Sequence, residues 1–345
     1  MSGRHRIPPD IALPRLTLCA EAETWPLAAP FVISRGTKTA AEVIVATVTG
    51  GGSFGRGEAV PYARYGETVA ATLAALRACA PALEQGLDWR ALGQLLPPGA
   101  ARNALDCALW DWTARRSGTP AWSLAGVAAP VRIPSFFTIS LDSPEAMAAA
   151  AAGAAERGLG ALKIKLGEPR ADAARLAAIR AEAPETRLIV DANEGWTMAD
   201  LRRLAPLAAG LGVELIEQPL PAAGDAPLAG FQSPVPLCAD ESFHGSDGLA
   251  ALRDRYQAVN IKLDKAGGLS TALALGQEAR RRGLDILVGS MVATSLGVAP
   301  ALLLAPMARW VDLDGPLLLA PYRVPGLDMR DGIIDGLPAG LWGSP

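Results

Sequence analysis

The hydrophobic rhythm of the chain changes once, near residue 130, and the change separates two kinds of structure. Before it, residues 16–21 and 42–49 are rich in β-forming side chains. Gly50-Gly51-Gly52 then makes a loop leading into Gly57-Glu58-Ala59-Val60, so a strand meander is predicted. Helical spacing follows over 68–85, 89–96 and 101–116. The last carries Ala104, Leu105, Ala108, Leu109 and Trp112 on one stripe, which predicts packing rather than a cofactor contact. Residues up to about 128 therefore read as an α+β unit. From Ile133 onward, short apolar runs alternate with Ala-rich helical segments, the pattern of parallel βα units.

Eight strands are predicted in this second part: 134–139, 161–166, 187–191, 213–217, 236–240, 258–263, 285–288 and 309–312. Their starts fall roughly two dozen residues apart, the length of one strand, one helix and two loops, and eight such units close into a barrel. No sequence repeat accompanies this period. After about residue 320 there is no further βα unit, and this tail is expected to fold back onto the N-terminal part. The fold class is thus α/β, a (β/α)8-type barrel over 129–320 with an N-terminal α+β domain over 1–128 and a tail over 321–345.

Bulk properties narrow the partners more than the fold. The 345 residues, 50% hydrophobic and 19% charged, are ordinary for a globular protein. A net charge of -3 gives no electrostatic pull toward nucleic acid or an anionic membrane. Residues 1–10 are polar and broken by Pro8 and Pro9, unlike a signal peptide. The longest apolar run near the C-terminal end, 298–307, contains Pro300 and Pro306 and is too short to span a bilayer. Cys19, Cys79, Cys107 and Cys238 lack metal-ligand spacing and are expected as buried thiols in a reducing compartment. A cytoplasmic enzyme is expected, with no nucleic-acid or membrane partner and its oligomeric state open.

In such a barrel, function sits at the C-terminal ends of the strands. The second strand ends Lys163-Ile164-Lys165, and residues two apart on a strand share a face, so both lysines point into the mouth. The third ends Asp191-Ala192-Asn193, the fourth Glu217-Gln218-Pro219 and the fifth Asp240-Glu241-Ser242. Asp191, Glu217 and Asp240 therefore sit side by side on one arc. Three converging carboxylates repel one another, and a hard divalent cation with oxygen ligands resolves this, which points to Mg²⁺. The alternative for any one acid is a helix cap or a lysine partner.

The sixth strand runs Asn260-Ile261-Lys262-Leu263-Asp264-Lys265 and on into Ala266-Gly267-Gly268. Strands two and six lie opposite in a ring of eight, so Lys165 and Lys265 are expected to face each other across whatever the metal holds. That arrangement suits a 1,1-proton transfer, one lysine taking an α-proton and the other returning one to the opposite face. A lysine has an ordinary pKa of about 10.4. Burial, the cation and the like charge of Lys163 are expected to bring Lys165 toward useful values. Lys163 and Lys262 are read as supporting residues.

This ordered set, Lys-x-Lys, Asp-Ala-Asn, Glu-Gln-Pro, Asp-Glu-Ser and Lys-x-x-Lys-x-Gly-Gly on successive strand ends, resembles the muconate-lactonizing-enzyme subgroup of the enolase superfamily. The resemblance spans nearly the whole chain and implies an enolase-like modified TIM barrel beneath an N-terminal capping domain. A Lys or His base working with Mg²⁺ is the superfamily's known arrangement. A mandelate-racemase-like site is disfavoured, because it needs a histidine near the end of strand seven. The only histidines are His5 and His244, and that strand ends Val288-Gly289-Ser290.

The subgroup holds muconate-type cycloisomerases, o-succinylbenzoate synthases, N-acylamino acid racemases and dipeptide epimerases. Strand eight ends Val311-Asp312-Leu313-Asp314, a pair of acids that suits a free ammonium group. In dipeptide epimerases such an Asp-x-Asp is the expected grip on the dipeptide's α-ammonium. The segments Phe31-Val32-Ile33-Ser34-Arg35-Gly36-Thr37-Lys38 and Pro61-Tyr62-Ala63-Arg64-Tyr65-Gly66-Glu67 resemble the capping loops of L-Ala-D/L-Glu epimerases. Arg35 first, and Arg64 second, would match a glutamate side-chain carboxylate, and Thr138 would touch the substrate. The resemblance thus implies Mg²⁺-dependent epimerisation of a small dipeptide in murein peptide recycling. Other activities of the subgroup, and a non-catalytic barrel, remain as alternatives.

Overall fold

The computed structural model describes residues 13–245 and 248–345; the leading polar segment with His5, Pro8 and Pro9 lies outside the described residues. An antiparallel sheet comes first, ordered β1 (Thr17–Ile33), β2 (Gly36–Gly50) and β3 (Ser53–Ala59). β1 runs far beyond the predicted 16–21, because a register shift between Pro26 and Phe31 absorbs the prolines and lets the pairing resume. The result is a long arm that ends in the two-residue turn Ser34-Arg35. Helix Val69–Glu84 starts at Thr68, whose Oγ1 accepts the Ala71 N–H at 3.1 Å, a cap that contributes about 1 kcal/mol. Helix Ala100–Ser117 buries the predicted stripe of Ala104, Leu105, Ala108, Leu109 and Trp112. The predicted 89–96 helix is instead a 3-10 turn, Trp89–Ala91, followed by a single turn, Leu92–Leu95.

The strand predicted at 134–139 divides in two. β4 (Ile133–Pro134) leaves the barrel and later pairs near the chain end, while β5 (Phe137–Ile139) enters it. The parallel sheet continues through β6 (Ala161–Lys165), β7 (Arg187–Asp191), β8 (Val213–Glu217), β9 (Leu237–Ala239), β10 (Ala258–Ile261), β11 (Asp285–Gly289) and β12 (Trp310–Asp312), neighbours in chain order. The ring closes where the Phe136 N–H donates to the Val311 carbonyl at 2.8 Å and the Leu313 N–H to Ser135 Oγ at 2.9 Å. Helices such as Pro144–Glu156, Pro169–Glu182, Met198–Gly210 and Leu269–Arg281 make the crossovers. Between β8 and β9 only the 3-10 turns Ala222–Gly224 and Ala226–Leu228 stand in for the expected helix. Pro219, Pro221 and Pro227 remove donors a helix needs there.

Inside the barrel, Phe136, Ala161, Ile189, Leu215, Cys238, Ala258, Leu287 and Trp310 form one buried cluster, one residue from each strand or its edge. Burying a Leu, Ile or Phe at such a position stabilises the fold by about 1.5–3 kcal/mol. Strand side chains alternate, so the same inward face carries, two residues later, Thr138, Lys163, Asp191, Glu217, Asp240, Asn260, Gly289 and Asp312. Two residues later again come Lys165, Lys262 and Asp314. The apolar floor thereby gives way to a polar layer at the mouth.

The chain end forms β13 (Met329–Arg330) and β14 (Ile333–Ile334), the latter pairing with β4. Its last residues meet helix Ala100–Ser117: Trp342 Nε1 donates to the Cys107 carbonyl at 2.9 Å, and the Gly343 N–H to Asp111 Oδ1 at 2.7 Å. Cys79, Cys107 and Cys238 are buried free thiols, but Cys19 is exposed. It falls on the outward face of β1, with Thr17 and Glu21. Among the described residues no helix is long and apolar enough to cross a membrane.

Candidate active site

The polar layer opens into a cavity of about 470 Å³ whose roof includes Phe31, Ile33, Arg35, Tyr62 and Arg64, a size suited to a small-molecule ligand. The hairpin tip closes down on the barrel, with Ser34 Oγ donating to the Asn193 carbonyl at 3.1 Å. Gly167 makes this approach possible. Its φ is +122°, and a Cβ there would stand 2.7 Å from the Ser34 Cβ.

Asp191, Glu217 and Asp240 occupy consecutive strand ends and are almost wholly buried. Lys165 Nζ donates to Asp191 Oδ2 at 2.6 Å, and Lys163 Nζ lies 3.5 Å from the same oxygen. Burial opposes the charge of Asp191, but Lys165 and Lys163 hold its carboxyl at about 2. Asp240 is likewise kept well below the usual range, since Lys262 and Lys265 outweigh its burial. Glu217 differs. Burial and the neighbouring Asp191 push its carboxyl up to about 7 despite Lys163. Its Oε1 accepts from Asn260 Nδ2 at 2.6 Å. Its Oε2 lies 2.7 Å from Lys163 Nζ but receives no directed hydrogen bond. Gly289 leaves room for this contact, as a Cβ there would meet Asn260 Oδ1 at 2.7 Å.

Among the described residues no three acids, thiols or imidazoles already converge as a cation cage; each of the three carboxylates is in contact with a lysine. The donor set nevertheless fits Mg²⁺. It consists of hard carboxylate oxygens on one arc, and its middle member keeps a buried oxygen that is charge-paired with Lys163 but accepts no directed hydrogen bond.

The two lysines of the sixth strand part company. Lys262 follows Ala258 and Asn260 on the inward face, lines the cavity, and donates to Asp240 Oδ2 at 2.6 Å. Lys265 is not on the cavity wall. β10 ends at Ile261 and the chain turns into the single helical turn Leu263–Ala266. That turn sends Lys265 behind Asp240, where Nζ donates to the Asp240 carbonyl at 2.7 Å and to Oδ1 at 2.5 Å. Lys163 is buried by Asp312, Glu217 and Asp191; burial opposes its charge, but those acids hold its pKa well above the ordinary value.

Asp312, Asp314 and Thr138 all line the cavity. Asp312 Oδ2 accepts from Lys163 Nζ at 2.7 Å, while its buried Oδ1 has no partner. Asp314 lies just beyond β12 and its Oδ2 accepts the Thr138 N–H at 2.6 Å. Burial and the adjacent Asp312 push the Asp314 carboxyl up to about 7.

Arg35 and Arg64 also reach the cavity, but the protein already occupies them. Arg35 donates to the Asn193 carbonyl at 2.8 Å, Glu194 Oε2 at 3.2 Å, Tyr62 Oη at 3.3 Å and Glu241 Oε1 at 2.6 Å. Arg64 makes a fork on Glu194 at 3.1 and 3.0 Å. The partners Glu194, Glu241, Gln218 and Asn260 escaped the sequence argument. Gln218 Oε1 accepts the N–H groups of Asp240 and Ser242 at 2.9 and 3.0 Å and so fixes the end of β9. Asn260 was legible from strand alternation, whereas Gln218 gave only its place in Glu-Gln-Pro.

Residues 15–126 match the family model described as mandelate racemase / muconate lactonizing enzyme, N-terminal domain, and residues 146–335 match enolase C-terminal domain-like. An L-Ala-D/L-Glu epimerase of Escherichia coli is 45% identical over 310 residues, covering 90% of this chain and 96% of the relative. An N-acetyl-D-glutamate racemase of a Pseudoalteromonas species is 43% identical, covering 87% and 95%. Among solved structures, an enolase family member from Agrobacterium tumefaciens, described as having homology to dipeptide epimerases and bound to sodium and L-Ala-L-Glu, is 49% identical. It superposes with a TM-score of 0.92, covering 95% of this chain and 100% of that one. A dipeptide epimerase from Enterococcus faecalis complexed with Mg and L-Leu-L-Tyr is 27% identical, with a TM-score of 0.87, covering 95% and 99%.

Proposed function

The chain belongs to the enolase superfamily, in its mandelate racemase / muconate lactonizing enzyme branch, and from that membership we propose that it is an isomerase epimerising L-Ala-D/L-Glu dipeptides at the α-carbon of the second residue. One observation carries the choice of substrate. Asp312 lines the cavity beside Asp314 and keeps a buried carboxylate oxygen without a hydrogen-bond partner, and a free ammonium seated on this pair supplies a donor. The E. coli relative and the L-Ala-L-Glu complex of the Agrobacterium protein support the same reading.

Asp191, Glu217 and Asp240 are the residues that would hold Mg²⁺, and the Mg-containing dipeptide complex of the Enterococcus protein supports that metal. When bound, the ion supplies positive charge beside the substrate carboxylate as negative charge accumulates there during proton removal. Lys165 takes or returns the α-proton on one face. Lys262 serves the other face in place of Lys265, because it alone of the pair reaches the cavity. Lys163 stays charged between Glu217 and Asp312 and orients both. Asp312 and Asp314 seat the ammonium, with Thr138 holding Asp314 in place. The hairpin tip with Arg35 and Arg64 shields the proton transfer from water and faces the acidic side chain. We place this activity in murein peptide recycling in the cytoplasm, a reading that rests on the substrate class.

Chromatographic separation of the diastereomers tests the proposal. Purified protein with Mg²⁺ converts L-Ala-L-Glu to a mixture with L-Ala-D-Glu; formation of a cyclised or dehydrated product instead would favour the cycloisomerase or synthase alternative.

A further inference from the structure

Helix Ala100–Ser117 carries a second stripe beside its apolar one. Arg102, Asn103, Asp106 and Trp110 recur at helical spacing, and Asn103, Asp106 and Trp110 are buried. Among the described residues, the side-chain hydrogen bonds that join this stripe to the barrel meet residues 264–271, the segment that follows β10.

Arg102 and Asp106, one helical turn apart, grip the two sides of a single junction in that segment. Arg102 Nε donates to the Gly267 carbonyl at 2.9 Å, and its Nη2 to the Ala266 carbonyl at 2.8 Å and Thr271 Oγ1 at 2.9 Å. Carbonyls at the end of a helical turn have no partner within it, and Arg102 supplies one to the turn Leu263–Ala266. Helix Leu269–Arg281 then starts after Gly268, which has no side chain to cap it. Asp106 caps it from outside: Oδ2 accepts the Ser270 N–H at 2.9 Å and Oδ1 accepts Ser270 Oγ at 2.6 Å. The approach requires a glycine, since at Gly268, with φ +112°, a Cβ would stand 2.5 Å from the Asp106 Cβ.

Lys262 stands at the near end of the same junction. Its carbonyl accepts the Ala266 N–H at 3.0 Å, so the residue that Arg102 holds is one hydrogen bond from the backbone of the base. Asn103 Nδ2 adds a third tie, donating to Asp264 Oδ1 at 2.8 Å. Lys165, by contrast, ends β6 and meets Asp191 and the Phe31 ring.

We propose that Arg102 and Asp106 are positioning residues for one of the two proton-transfer groups: they fix the junction on which Lys262 stands and leave Lys165 untouched. This inference rests on the epimerase reading above and deepens it. A helix of the N-terminal part thereby takes a role in the chemistry of one face of the substrate.

The test is α-proton exchange in D₂O, followed by NMR and started separately from L-Ala-L-Glu and L-Ala-D-Glu. Lys262→Ala identifies the diastereomer whose exchange depends on Lys262. Arg102→Met and Asp106→Asn are expected to slow the exchange of that same diastereomer by about tenfold to a hundredfold, the scale of a small misplacement of a reacting group, and to spare the other. Arg102→Lys restores part of the rate. Thr271→Val, which removes one acceptor of Arg102 and disturbs the fold least, moves the ratio of the two rates in the same direction and decides the matter if the other variants fail to fold. Equal slowing of both diastereomers, or an unchanged ratio, would overturn the positioning role while leaving the epimerase reading intact. A wild-type protein that exchanges neither dipeptide overturns both.

Discussion

Lys262 and Lys265 hold opposite oxygens of one carboxylate. Lys262 Nζ is 2.6 Å from Asp240 Oδ2 on the cavity side, and Lys265 Nζ is 2.5 Å from Oδ1 behind it. Only two residues separate them in sequence, yet one faces the substrate space and the other supports the acid that faces it. Their substitutions therefore have different expected consequences.

Lys262→Ala and Lys165→Ala each abolish net epimerisation, since each removes the proton-transfer group of one face; removing such a group costs about a hundredfold to ten-thousandfold. Lys265→Ala lowers activity less and does so through Asp240. Measuring diastereomer conversion in the three variants separates these cases. Full activity in Lys262→Ala would return the second base to Lys265.

Asp312→Asn weakens the seat for the ammonium. The expected effect is a fall in kcat/KM for L-Ala-L-Glu of about tenfold to a hundredfold, the scale of a charge-assisted hydrogen bond of 1.5–3 kcal/mol. N-acetyl-L-glutamate, which has no ammonium, responds less. The comparison is made by steady-state kinetics on both compounds, and an equal response would remove Asp312 from substrate binding.

Mg²⁺ should stabilise the fold as well as activate it, because ligand binding to the native state alone adds about 2.7 kcal/mol at a hundred times the Kd. Thermal unfolding in chelator and in excess Mg²⁺ reads this as a rise in Tm. Glu217→Gln, which removes one charge from the buried arc, diminishes the rise. A Tm indifferent to Mg²⁺ in the wild type would contradict the metal assignment.

Asp264 gives a pH prediction away from the metal ligands. Its Oδ1 accepts the Val60 N–H at 3.0 Å and Asn103 Nδ2 at 2.8 Å, tying the turn after β10 to the capping sheet. Burial pushes its carboxyl up from 3.8 to about 7. A folded pKa raised above the unfolded one means that the folded state binds the proton more tightly. Its contribution to stability is complete below about pH 4 and is lost as pH rises toward about 7. Asp264→Asn keeps an acceptor for both donors and removes the titration. Melting curves between pH 4 and 8 should show a shallower decline in Tm for Asp264→Asn than for the wild type; parallel curves would contradict this.

Much of this architecture was legible because the signals were periodic. β7 and β8 have the predicted bounds, Arg187–Asp191 and Val213–Glu217, as apolar runs ending in one acid have little choice of register. The two-residue alternation that pairs Lys163 with Lys165 also picks out Lys262 from Ala258 and Asn260. The expectation for Lys265 followed the spacing of a motif, past the point where the strand ends and a helical turn begins. The prolines of β1 hid a long arm because its pairing depends on residues 36–44, not on local propensity. The occupants of Arg35 and Arg64 were illegible for a related reason. Glu194 and Glu241 lie 159 and 206 residues from Arg35 in sequence, and only the closed barrel brings them together.

Incorporation of deuterium reports the proton transfer itself. Wild-type protein with Mg²⁺ is incubated in D₂O with L-Ala-L-Glu, and the α-proton signals of both residues are followed by NMR. The glutamate α-proton signal is expected to disappear while the alanine signal stays intact, and this exchange is expected to be lost when Lys165 and Lys262 are both replaced by alanine. Persistent glutamate signal in the wild type, or exchange that survives in the double variant, would contradict it.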